Sequence, residues 1–382
     1  MTTIAFIIPL IFAIFLLVFF RQKVVWWEYL IIVLPSMFIA GCLYFGMISY
    51  TTSDTEYYGN YVTGIKYYEP WDEYIHRTCT RTVGSGKNQT TESYDCSYVE
   101  NHGPEWKQTL NNGYEYSISN KEYNRLFSLW NTENSFIDMH RNYDSQDGDC
   151  YSKLWDGNIS HSKTRTIDHK YENKIKGSKS IFGFENITPD EAKILGLYDY
   201  PSLYNQSNGG FFNSDNDSNQ SPFLGYKPSK DELVQWGFIN GYYGHRNQFR
   251  TYNLVFYNKP LSIVQDQRSY WEGGNKNELV TCICLDSTSK KILWVDAFSW
   301  CDKPTYEVNL KSYFNGKEKL DFIEFANWTK AAIPQYWKRK EFKDFNYIDI
   351  QLTGTQFMWT LIIIFVFNLG MSIYVVLNDE EN

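Results

Sequence analysis

The stretch Tyr270-Trp271-Glu272-Gly273-Gly274-Asn275-Lys276-Asn277-Glu278 sets aromatic, amide and acidic groups around two glycines. Paired glycines ordinarily close a preceding helix. The sharper reading is a loop at a sheet edge that holds a ligand through Trp271 and Asn275. A second grouping, Phe211, Phe212, Tyr242, Tyr243, Arg246 and Arg250, supplies the residue types that anchor protein interfaces, set in a polar context. Tyr242, Tyr243 and Arg246 are the residues expected to meet a partner, and burial in the domain's own core is the competing fate of each.

Catalytic and metal-binding patterns are weaker. Asn213, Asp215, Asp217 and Asn219 alternate oxygen donors, but the glycine and closing glutamate of a calcium loop are missing; Asp144, Asp147 and Asp149 around Gly148 are also off that spacing. His161 and His169 flank a strand-like run without a third ligand. In Trp71-Asp72-Glu73-Tyr74-Ile75-His76-Arg77, Asp72 and His76 share one face of a strand while Glu73 points away, which separates the members of any triad. There is no Gly-x-Ser-x-Gly elbow, no phosphate-binding loop, and no cysteine at a helix start. We therefore expect no catalytic residue, no bound metal and no cofactor.

The elements that carry these residues begin with three apolar runs. Ile4 to Phe20 and Tyr29 to Ile48 form a hairpin around Arg21 and Lys23, and Phe357 to Leu377 closes the chain. At about 1.5 Å per residue each approaches or exceeds what a ~30 Å hydrocarbon core requires. The first run lacks a basic start and a small-residue cleavage site, so it reads as a retained span. Trp26 and Trp27 suit the interface, Pro35 would bend the second span, Gly41 and Gly46 offer close approach, and Asn368 is an interhelical contact or oligomer contact.

Arg21 and Lys23 place the short loop in the cytoplasm, which puts the N-terminus and the large middle domain outside and the C-terminus inside. Lys338, Arg339, Lys340 and Lys343 oppose that assignment, but long domains cross largely regardless of charge. On this topology a reporter after Asn382 is cytoplasmic and one near Gly209 is outside.

Cysteine usage agrees with an extracytoplasmic domain. Cys42 lies in the second span and six cysteines lie in the domain. The midpoint between Cys79 and Cys96 falls at the Gly84-Ser85-Gly86-Lys87 turn, so they are expected to face each other and to bridge. Cys282 and Cys284 share a strand face, and Cys301 or Cys150 would be their partners if they pair.

With 382 residues, 43% hydrophobic, 18% aromatic and 21% charged, the chain is a folded protein, and its net charge of −8 with no basic stripe argues against nucleic acid as a partner. Mean hydropathy is −0.45 despite the three runs, so the rest is a water-soluble domain. The fold class is α+β: a helical hairpin over residues 1–50, a β-rich subdomain over 51–200, a linker-like loop over 201–228, an α+β subdomain over 229–352, and a final helix with an acidic tail over 353–382.

Strands fill 57–116. Helices start at Ser119, with Glu122 completing a capping box, and at Thr188-Pro189. Residues 144–157 read as loop and 163–169 as strand. The order strand 253–257, helix 260–271, strand 279–285, strand 292–299 resembles, over roughly a fifth of the chain, the small α/β domains of the TPM type, and element order alone implies no activity. Helical pattern follows over 309–332, and a strand at 345–352 leads into the last span.

Sequons at Asn88, Asn158, Asn186, Asn205 and Asn327 are expected by chance in so Asn- and Ser-rich a chain. The bias to Asn, Lys, Tyr and Ile points to an AT-rich bacterial or phage genome. The function expected is a membrane-anchored binding or structural protein in an envelope complex, partnered by the lipid bilayer and by a protein or further copies of itself. The alternative is a membrane-bound enzyme or metal-dependent domain acting on envelope substrates. A channel is disfavoured because the spans carry no acid or base.

Overall fold

The computed structural model describes residues 2–84, 86, 89–178, 183–201 and 221–378. Phe211, Phe212, the acidic run from Asn213 to Asn219, Gly209, the sequons at Asn88 and Asn205 and the tail beyond Asn378 lie outside the described residues. The chain is mixed α+β and divides into two compact units: Met1–Thr55 with Lys170–Phe184 and Glu341–Asn382, and Glu56–His169 with Glu185–Lys340.

In the first unit, α1 (Thr2–Phe19), α2 (Trp26–Thr52) and α10 (Gly354–Asn378) pack on one another. Trp26–Thr52 and Gly354–Leu377 are long and apolar enough to cross a bilayer, whereas the described apolar stretch of α1, Ile7–Phe19, is shorter. Leu16, Ile32 and Val375 make the seam. Asn368 finds its partner inside the chain: its Nδ2 donates to Ser36 Oγ at 2.6 Å and to the Ile364 carbonyl at 2.7 Å. Gly41 and Gly46 are not the approach points expected, since a Cβ at either would meet nothing within 4 Å. At the last residue of α2, the Thr52 carbonyl accepts from Asn173 N–H at 2.6 Å, and Asn173 caps the single-turn α4 (Lys174–Gly177). The strand expected at 345–352 is absent: Phe342–Phe345 forms a 3₁₀ turn, and residues 346–353 pair with no neighbour strand.

The second unit is built on two larger sheets. In the first, the long β1 (Ser53–Tyr68) is central. Around it lie β6 (Glu105–Leu110), β7 (Glu115–Ser117), β8 (Asn134–Ile137) and β9 (Cys150–Leu154) in the order β7-β6-β1-β9-β8, and β10 (Thr164–Glu172) also pairs with β1. Val62, Ile65 and Leu110 pack against Tyr123, Leu126 and Trp130 of and just after α3 (Asn120–Leu129). The start of α3 is as expected, with Ser119 Oγ accepting from Glu122 N–H, but the Glu122 carboxylate takes Arg125 at 2.7 Å instead of closing the box. Within the loop expected at 144–157, Cys150–Leu154 instead forms β9, which pairs antiparallel with Gly64–Tyr68 of β1 and buries Cys150 and Lys153.

Between β1 and β6 the chain runs out as a two-stranded arm: β2 (Trp71–Ile75) with β5 (Tyr98–His102), then β3 (Thr78–Val83) with β4 (Thr90–Asp95). Nearly every residue of β3 and β4 is exposed, so no apolar face holds the arm. A lone hairpin is marginal in water. The arm is instead stapled by a Cys79–Cys96 disulfide with Cα atoms 5.8 Å apart. The register differs from the symmetric expectation: Cys79 stands opposite Tyr94, and Cys96 N–H donates to the Arg77 carbonyl, so the bridge runs diagonally. The remaining cysteines, Cys42, Cys150, Cys282, Cys284 and Cys301, are free thiols, which removes the further pairings the count allowed. Non-reducing peptide mapping should recover the 79 and 96 peptides joined. Reduction should expose the arm to protease before the remaining domain, since the chain-entropy contribution of such a loop is about 3 kcal/mol.

The second sheet has the order β11 (Phe223–Leu224), β12 (Arg250–Tyr257), β13 (Glu278–Leu285), β14 (Ile292–Ser299), with β12 parallel to its neighbours and β14 antiparallel. Helices cover both faces, so β12 and β13 are buried almost along their full lengths. On one face Val255, Leu279 and Ile283 meet α6 (Lys230–Asn247), α8 (Thr305–Phe314) and α9 (Phe322–Tyr336). On the other, Tyr252, Leu254, Phe256, Cys282 and Cys284 meet α7 (Ile263–Tyr270). α5 (Pro189–Leu195) opens with the Thr188–Glu191 capping box.

Candidate functional site

The first sheet and α6 meet backbone to backbone. A Cβ at Gly59 would overlap the Asn240 carbonyl, and one at Gly244 would overlap the Gly59 backbone. Glycine spacing on α6 therefore lets β1 lie flush against the helix, as small residues do wherever backbones approach closely. The capping box of Ser229 and Glu232 fixes where α6 begins, and so which residues it turns towards β1.

Beside this contact is a cleft of about 410 Å³ lined by Tyr61, Asn111, Tyr242, His245 and Arg246. Tyr61 and Tyr242 stack with centroids 5.7 Å apart, and Phe238 stacks on Tyr242 at 5.5 Å. Arg246 Nη1 donates to Tyr242 OH at 2.8 Å, which holds the guanidinium at the rim. Burial, together with Tyr242, pushes the Tyr61 phenol up and Arg246 opposes the shift. Asn111 is fixed from both sides: its Oδ1 accepts from Tyr61 N–H at 3.1 Å, and its own N–H donates to the Tyr61 carbonyl at 3.0 Å.

Of the residues singled out from sequence, Tyr242 and Arg246 thus share one cleft. Tyr243 does not; it is buried in the core and donates its hydroxyl to the Lys330 carbonyl at 2.7 Å. Arg250 is also inside, with Nε on Tyr252 OH at 2.7 Å.

Trp271 and Asn275 belong to a separate, buried polar network. Trp271 Nε1 donates to the Tyr198 carbonyl at 2.8 Å, and Asn275 Nδ2 reaches Tyr200 OH at 2.9 Å. Glu278 accepts from Asn275 N–H at 2.8 Å and from the Tyr200 hydroxyl. Desolvation pushes the Glu278 carboxyl up against the pull of Tyr200, Asn275 and Arg250, and it holds Tyr200 well above the usual phenol range. The two glycines take left-handed backbone, φ 85° and 73°, with Gly273 N–H on the Arg268 carbonyl, which is the helix-closing geometry.

A third cluster was missed by sequence reading. Glu56 is fully buried, and its Oε1 accepts from Tyr58 OH and Arg339 Nη2 at 2.6 Å each, with His169 Nδ1 at 3.0 Å and Lys276 Nζ at 3.5 Å. Its members come from four distant segments, so no local spacing announces it. His161 is apart, paired with Asp156 at 2.6 Å.

Asp72 is tied to the 144–146 loop. The Ser145 hydroxyl and the N–H groups of Gln146, Ser145 and Asp144 donate to it and hold its carboxyl well below the usual range. That contribution is present at neutral pH and fades only as pH falls through the depressed value, so the 144–146 loop should stay docked on β2 in mild acid, as hydrogen exchange at those amides can follow. Glu73, Glu100 and His102 bring ligand-type atoms within 4.8 Å of one another, as do Asp138, Asp147 and Asp149. Each group combines one exposed residue with two half-buried ones, and we assign them no role. Searches of family models, of curated proteins and of solved structures find no match to this chain.

Proposed function

We propose that the chain is a membrane-anchored binding protein whose domain, carried outside the cytoplasm, docks a protein partner in the cleft between β1 and α6 as part of a bacterial or phage-encoded envelope complex. Three spans, with α1 as the first, the Arg21–Lys23 loop inside and the C-terminus inside, complete the topology. The observation that carries the reading is the gathering of the half-buried Tyr242 and the exposed Arg246 with Tyr61, Asn111 and His245 in one open cleft, where aromatic and arginine anchors reach the surface. The partner is another protein or a second copy of this chain.

The test is the double variant Tyr242→Ala/Arg246→Ala. It should fold and insert as the wild type does, yet hold the partner, or itself as an oligomer, about tenfold less tightly in quantitative crosslinking. Unchanged crosslinking in the folded variant would remove the cleft from the account. Tyr243→Ala, by contrast, should lower stability by about 3 kcal/mol through the cavity it leaves.

A further inference from the structure

We infer that the cleft recognises a carboxylate on a peptide chain, an Asp or Glu side chain or a free C-terminus of the partner. This rests on the reading of the cleft as a protein-docking site and goes on to specify the chemical group it receives.

The cleft is rich in donors and free of acidic side chains among its lining residues. The protein carries a net charge of −8, yet none of the five cleft residues is acidic. Asn111 Oδ1 is committed to Tyr61 N–H, which turns the Nδ2 donors away from that bond, and Nδ2 makes no hydrogen bond among the described residues. Arg246 spends Nη1 on Tyr242 OH, and its Nε and Nη2 find no partner among the described residues. His245 is exposed at the same rim. The cleft thus offers an excess of N–H donors over acceptors, the pattern that an anion satisfies and a neutral amide does not.

A carboxylate fits better than a phosphate. Among the described residues Arg246 is the single permanent cation lining the cleft, which matches one negative charge, and its planar fork matches a planar two-oxygen acceptor. Phosphate groups are usually met by several cations, and among the described residues the cleft has one.

The experiment uses the full chain in neutral-lipid nanodiscs and ligand-observed NMR with four probes. N-acetyl-glutamate amide carries only a side-chain carboxylate, N-acetylalanine only a terminal one, N-acetylglutamine amide neither, and inorganic phosphate serves as competitor. At least one carboxylate probe should bind about tenfold more tightly than the amide probe, and which one does so identifies the source. Binding should be lost in Arg246→Gln and in Asn111→Asp. The second variant keeps the acceptor for Tyr61 N–H while replacing the donor pair with a negative charge, so a folded protein that no longer binds supports the inference. Equal binding of carboxylate and amide, undiminished binding by Asn111→Asp, or displacement by phosphate at concentrations where acetate has no effect would each overturn it. Loss of the partner in Tyr242→Ala/Arg246→Ala without carboxylate preference would leave the docking reading standing and sink the ligand class alone.

Discussion

Alanine at Gly59 or at Gly244 is expected to destabilise the protein by about 3 kcal/mol, at the upper end of what overpacking costs. The overlap in each case is with backbone, of Asn240 or of Gly59, and backbone in a sheet or helix cannot rotate aside as a flexible side chain can. The matched control is Gly237→Ala on the same helix, where the added methyl would sit 3.9 Å from Thr164 Oγ1 in ordinary contact. That change should be neutral or stabilising, because alanine suits a helix interior better than glycine. Thermal unfolding followed by circular dichroism separates the cases. Similar melting of all three variants would mean that β1 and α6 are not in backbone contact, and the cleft they frame would go with it.

Replacing Glu56 with glutamine should cost a similar amount. The carboxylate is fully buried with Arg339 and Lys276, whose side chains are themselves only about a tenth exposed. Removing one member of a buried ion cluster leaves the others with desolvated charge, and such losses run to about 3 kcal/mol or more. The companion change Lys276→Met in the same background should recover part of the loss, since it removes a buried charge whose pairing with the Glu56 carboxylate is gone. If Glu56→Gln melts as the wild type does, the cluster is not an organising element of the domain.

How much of this was legible in the sequence differs by region. The two long apolar helices were plain because uncharged stretches of such length stand out in an otherwise polar chain, and β13 was plain because burial on both faces leaves continuous Val, Ile, Leu and Cys, whereas the short β11 lay within the expected linker. The helix that forms the cleft, α6, was not read at all. Its start is marked by Ser229 and Glu232, but Gly237, Gly241 and Gly244 lower its helical propensity, and Gly241 and Gly244 are there for the contact with β1. Tertiary packing overrode a local signal, and the same packing made the site. Tyr242 and Tyr243 illustrate the limit further: adjacent in sequence and identical in type, one lines the cleft and the other is core, because neighbours on a helix point about 100° apart. Residues 345–352 erred the other way, since an alternating pattern without a neighbouring strand does not make a sheet.

The most direct test of the account is the accessibility of the cleft from outside an intact cell. With His245→Cys and Lys23→Cys made separately in the full chain, a membrane-impermeant maleimide should label the first in intact cells and the second only after permeabilisation, and peptide ligands with a carboxylate should slow the first reaction. Labelling of position 23 but not of 245 in intact cells would invert the topology and contradict the proposed role outright.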